Sequence, residues 1–116
     1  MTGELMTKKL QRLLFVCTAN QCRSPAFEKC LNRFKGVECK SAGTHGGNLL
    51  SAELLEWADR VVVMELRHWE FIWDKYPQYL EKAEIIGLKD VFIKNDPRLE
   101  EIAKEWALTR GFRVKT

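Results

Sequence analysis

Cys17 and Arg23 are separated by the five residues Thr18-Ala-Asn-Gln-Cys22 and are followed at once by Ser24-Pro25. A cysteine and an arginine at that spacing, ahead of a helix start, suit chemistry on a phosphate. A loop of this length that closes onto a helix N-terminus turns its successive backbone N–H groups inward. They form an anion nest, reinforced by the positive end of the helix dipole. The Arg23 guanidinium adds a planar fork for two phosphate oxygens. The same field favours a thiolate, because helix N-termini and nearby cations bring cysteine pKa values from about 8.5 into the range of roughly 3.5–7.5. A thiolate at the base of such a bowl attacks phosphorus in line and forms a cysteinyl-phosphate. Thr18, Ala19, Asn20, Gln21, Cys22 and Arg23 then hold the equatorial oxygens. A buried structural cysteine and a surface arginine would account for each residue singly, but not for their order.

The elements that must position this loop follow from the apolar pattern. Leu13–Cys17 is a short continuous apolar run, suited to a strand buried on both faces. Residues 24–34 read as a helix with Ser24 as N-cap, Phe27, Cys30, Leu31 and Phe34 on one stripe, and Gly36 as its stop. Residues 37–42 read as a second strand, 43–47 as a turn-rich loop that includes His45, and 51–58 as a short helix. Arg60–Met64 is a third strand. Leu66, Trp69, Ile72, Trp73 and Tyr76 mark a helical stripe ended by Pro77, which places His68 and Phe71 off the core-facing side. Residues 83–88 read as a fourth strand. Asp96-Pro97 then starts a last helix, with Asp as N-cap and Pro at the first helical position, and Gly111 lies past its end. Strict alternation of strand and helix predicts an α/β fold: a four-stranded parallel sheet with helices on both faces and ligands bound beyond the carboxyl ends of the strands.

The chain has 116 residues, enough for one domain, expected over 11–116 behind a flexible tail at 1–10. Apolar residues at 46% provide for a core, and charged residues at 30% fit a soluble protein. A net charge of +3 is too mild to argue for nucleic acid. No apolar run approaches the roughly 20 residues of a membrane helix, and residues 1–12 carry no secretory pattern. The four cysteines, 17, 22, 30 and 39, form no Cys-x2-Cys pair, and Cys30 and Cys39 lie on core-facing stripes. That argues against a zinc site and a disulfide scaffold, and for a reducing, cytoplasmic compartment. Nothing in the sequence indicates an oligomeric state.

Val16-Cys-Thr-Ala-Asn-Gln-Cys-Arg-Ser-Pro25 resembles the phosphate loop of the low-molecular-weight protein tyrosine phosphatases. Ser41-Ala-Gly-Thr44 matches the segment after that family's second strand, and Ala58-Asp59 with Val61-Val-Val-Met64 resembles its next strand. The likeness covers most of residues 11–110. It implies a cysteine-dependent hydrolase of phosphorylated proteins or small phosphomonoesters, with no metal and no cofactor. It also implies that Asn20 holds the loop's unusual backbone, that Ser24 hydrogen-bonds the thiolate, and that Cys22 can pair with Cys17 under oxidation as a redox switch. Two departures stand out. Ala19 replaces the family's usual glycine, and only fifteen residues separate Thr44 from Arg60, so the pocket is expected to be more open, as in a short bacterial branch.

Expelling the leaving group needs a proton donor, which the family takes from an Asp after the last strand, commonly in Asp-Pro. Asp96-Pro97 matches the dipeptide, whereas Asp90-Val91-Phe92 directly follows strand four and has an aromatic at the right offset. Asp90 is the choice, because helix capping already explains Asp96. To act, it must carry its proton beside the bound phosphate. Three other functions stay open: a phosphocarrier, an anion-binding module without turnover, and arsenate reductase. The last needs late relay cysteines, and none follows Cys39.

Overall fold

The computed structural model describes residues 10–115, so the tail expected over 1–10 lies, apart from Leu10, outside the described residues. The elements are β1 (Gln11–Cys17), α1 (Arg23–Leu31), β2 (Val37–Gly43), α2 (Ala52–Trp57), β3 (Arg60–Val63), α3 (Leu66–Lys75), a 3-10 segment (Pro77–Lys82), β4 (Ala83–Ile85) and α4 (Pro97–Thr109). All strand pairs are parallel and the sheet order is β2-β1-β3-β4. β1 is therefore central, and its apolar run is buried from Leu13 to Cys17. Alternate residues feed two cores. Leu13, Phe15 and Cys17 pack with Phe27, Leu31 and Ala103 of α1 and α4. Leu14 and Val16 pack with Leu55 and Ile72 of α2 and α3. That division puts a helix pair on each face, and it brings the loop after β1 to the carboxyl edge between β2 and β3.

Three expectations need correction. The fourth strand is three residues long, not six. Gly87 adopts φ +87°, and the N–H groups of Gly87 and Leu88 both turn to Met64 O, at 3.0 and 2.7 Å, so the chain curls over the sheet edge where it was expected to extend. The first helix begins at Arg23 with Cys22 as N-cap, and Ser24 is not its cap; the Ser24 hydroxyl is taken up by the site described below. The third helix is rotated relative to the apolar stripe. His68 is buried (1% exposed), while Leu66 and Trp73 are more than half exposed. Phe71 packs partly into the second core. The cause lies at the start of α3, where His68 is drawn inward by two hydrogen bonds. The last helix starts as expected, with Asp96 accepting from Arg98 N–H at 3.0 Å and Pro97 following.

Candidate active site

The loop from Cys17 to Arg23 crosses from the end of β1 to the start of α1. Cys17 Sγ lies 3.0 Å from Ser24 Oγ, and both side chains are buried. Asn20 Nδ2 donates to Ser24 Oγ at 2.9 Å and to Ser41 Oγ at 3.0 Å, and Asn20 Oδ1 accepts from Asn48 N–H at 3.0 Å. Asn20 has φ +56°, a conformation that asparagine tolerates better than most side chains. Since Asn20 fills one lone pair of Ser24 Oγ, the hydroxyl hydrogen chooses between Ala42 O at 3.3 Å and the sulfur at 3.0 Å. A thiolate, the stronger acceptor, takes it.

The following loop braces this one. Thr44 N–H donates to Cys17 O at 2.9 Å and His45 N–H to Thr18 O at 2.8 Å, which continues the strand pairing past the sheet. A side chain at Gly43 would lie 2.3 Å from Gly46 O and 2.8 Å from Thr18 O; one at Gly47, whose φ is +63°, would lie 2.6 Å from Asn20 Cβ. Only glycine permits that approach. His45 is exposed at this edge and meets Phe71 edge-on at 5.5 Å between ring centroids.

Arg23 is 2% exposed. Its Nη1 donates to Glu65 Oε2 at 2.5 Å and to Leu88 O at 2.7 Å. Nε and Nη2 have no hydrogen-bond partner among the described residues, and Asp90 Oδ1 stands 3.9 Å from Nε. One corner of the guanidinium is thus anchored, and its other edge, two N–H groups side by side, remains available to an oxyanion. Asp90 borders that edge and is 57% exposed; its other carboxylate oxygen is 3.9 Å from Arg67 Nη2. Burial opposes the charge of Glu65, but hydrogen bonds from Arg23 and Arg67 outweigh it and hold the carboxyl below its ordinary range. Glu65 was missed by sequence reasoning, and the available signal was its position directly after β3 at the carboxyl edge. His68, at the same edge, was read as a surface helix residue, whereas it is buried.

Asp96 is differently placed. Hydrogen bonds from the Arg98 side chain and backbone bring it down to about 2. It lines a groove of about 350 Å³ on the Cys22 side of the loop, together with Gln21, Lys29 and Lys94, and neither Cys17 nor Arg23 lines that groove. All four cysteines are free thiols. Burial is the main cause that pushes Cys39 up to about 12, as an inert core thiol. Among the described residues no three His, Cys, Asp or Glu side chains gather as a metal site would require. No helix there is long and apolar enough to cross a membrane.

Comparison with known proteins gives one answer. The family model described as low molecular weight phosphotyrosine protein phosphatase matches residues 12–60. The chain is 30% identical to the low molecular weight protein-tyrosine-phosphatase Etp of Escherichia coli (strain K12), over 85% of this chain and 94% of that one. It is 31% identical to a protein-arginine-phosphatase of Geobacillus stearothermophilus, over 62% of this chain and 66% of that one. Among solved structures it is similar to the tyrosine phosphatase Wzb of Escherichia coli K30 in complex with phosphate. The TM-score is 0.72 and the identity 26%, over 88% of this chain and 99% of that one.

Proposed function

The chain belongs to the low-molecular-weight protein tyrosine phosphatases, phosphoric monoester hydrolases by family, and from that premise we propose that it dephosphorylates protein phosphotyrosine through a cysteinyl-phosphate. Cys17 Sγ attacks phosphorus, an S–P bond forms, and the P–O bond to the leaving group breaks. Asp90 gives that oxygen its proton. Water then attacks phosphorus, its proton passes to Asp90, and the thiolate and orthophosphate are released. The loop N–H groups and the open edge of Arg23 hold the equatorial oxygens through both steps. Ser24 and Asn20 act through the sulfur and the loop backbone. The reaction needs no metal and no cofactor.

The observation that carries this reading is the division of labour in Arg23. Nη1 is tied to Glu65 and Leu88, and the edge that makes no hydrogen bond faces the carboxylate of Asp90 at 3.9 Å. An arginine placed only for stability would spend its donors inside the protein. The relative named a protein-arginine-phosphatase, at 31% identity, favours phosphoarginine as a second substrate reading.

The test is hydrolysis of para-nitrophenyl phosphate by the wild type and Cys17→Ser, followed by competition between phosphotyrosine and phosphoarginine peptides. The expected result is turnover in the wild type, near-none in Cys17→Ser, and faster release from phosphotyrosine. A stable phosphocysteine without turnover would indicate a phosphocarrier. Phosphate affinity without turnover would indicate a binding module.

A further inference from the structure

Thr18 is the first residue after Cys17, and the one side-chain partner of its hydroxyl among the described residues is His68 Nε2, at 2.8 Å. The direction of that bond is set by a third group. Glu65 N–H donates to His68 Nδ1 at 3.0 Å, closing the N-terminus of α3, so Nδ1 presents a lone pair. A neutral imidazole has one ring hydrogen, which must then sit on Nε2. Burial, with Arg23 and Arg67 acting in the same sense and Glu65 and Asp90 opposing, lowers His68 to about 4, so the ring is neutral at pH 7. Nε2 therefore donates, Thr18 Oγ1 accepts, and the hydroxyl hydrogen of Thr18 cannot point back toward His68.

We propose that His68 is a positioning residue of the phosphate site: by donating to Thr18 Oγ1 it fixes the Thr18 hydroxyl as a hydrogen-bond donor to the bound phosphoryl group. The proposal rests on the phosphatase reading of the loop. A hydroxyl free to rotate offers an anion either a hydrogen or a lone pair, and must be ordered each time phosphate binds. A hydroxyl whose acceptor side is already filled is ordered beforehand and meets the anion with its hydrogen. The turn between β3 and α3 then serves both flanks of the bowl. Glu65 anchors Arg23 on one side, and His68, held by the Glu65 amide, orients Thr18 on the other.

The experiment measures kcat/KM on para-nitrophenyl phosphate, and orthophosphate affinity by calorimetry. The proteins are the wild type, Thr18→Val, His68→Asn, His68→Gln and the double variant Thr18→Val/His68→Asn. Thr18→Val is expected to lose about tenfold in both readouts, one hydrogen bond to a charged group. His68→Asn keeps an acceptor near the Nδ1 position but is too short for Thr18, so it frees the hydroxyl to rotate and loses a smaller factor. The double variant loses no more than Thr18→Val alone, because His68 acts only through the Thr18 hydroxyl. His68→Gln, whose amide nitrogen extends toward the Nε2 position, recovers part of the rate. Wild-type values for Thr18→Val in both readouts, or losses that multiply in the double variant, overturn the proposal. Failure of the phosphatase reading has a different signature: the wild type itself does not turn over, while orthophosphate affinity still reports the Thr18–His68 coupling.

Discussion

Replacing Arg23 by lysine keeps the positive charge and tests the geometry of its donors alone. In the structure, Nη1 meets Glu65 and Leu88 O, while Nε and Nη2 make no hydrogen bond among the described residues and are the donors proposed to meet the substrate. An ammonium has three donors around one nitrogen and cannot span both sets. If the lysine stays with Glu65, the phosphoryl group loses two parallel charge-assisted hydrogen bonds. If it moves to the phosphate, Glu65 keeps only Arg67 and the Leu88 carbonyl loses its donor. At about 1.5–3 kcal/mol for each bond to a charged group, and allowing for one contact that the ammonium regains, the net loss is about 1.5–3 kcal/mol. That corresponds to a fall of roughly 10–10²-fold in kcat/KM. The assay is para-nitrophenyl phosphate hydrolysis with orthophosphate as competitive inhibitor, and inhibition should weaken alongside the rate. Arg23→Lys within about fivefold of wild type in both measurements would refute the reasoning, since charge alone would then suffice.

Asp90→Asn should lower kcat by roughly 10²-fold or more on substrates with poor leaving groups such as phenyl phosphate, and much less on para-nitrophenyl phosphate. Asp96→Asn, at a residue already ionised and committed to capping α4, should leave both rates within a few-fold; the reverse order would transfer the role of acid to Asp96. Stability should depend on His68 as well. Its folded pKa of about 4 lies below the ordinary 6.5, so the unfolded chain binds the proton more readily between those values. The contribution is complete above pH 6.5 and disappears as pH falls toward 4, amounting to about 3 kcal/mol. Urea unfolding across pH 4–7 should show that loss in the wild type and a flatter profile in His68→Asn; parallel profiles would contradict the burial argument.

The parts of the molecule that were legible in the sequence are those decided locally. Leu13–Cys17 reads as a strand buried on both sides and is one, and Asp96-Pro97 reads as a helix start and caps α4. The connection from Cys17 to Arg23 was legible as a strand-to-helix turn because the strand end, the spacing and the helix start all lie within ten residues. What was not legible depends on partners distant in the chain. His68 lies off the apolar stripe, and its inward turn is fixed by Thr18, fifty positions earlier. Glu65 reads as an ordinary helix-leading carboxylate until Arg23, from the other side of β1, is placed against it. The short β4 was a missed local signal, because Gly87 stands inside the stretch expected to be strand, and a glycine there marks a bend.

The close approach of Gly43 and Gly47 to Thr18, Ala19 and Asn20 has a bearing on how the proposed phosphate site can be transplanted. The curvature of residues 17–24 is borrowed from a neighbour: Ser41 and Asn48 hold Asn20, and the backbone of 44–45 holds that of 17–18. A graft of the cysteine segment alone onto another α/β scaffold would arrive without its mould. A chimaera that exchanges residues 17–24 and 41–48 together carries both halves, so the smallest portable cassette is discontinuous.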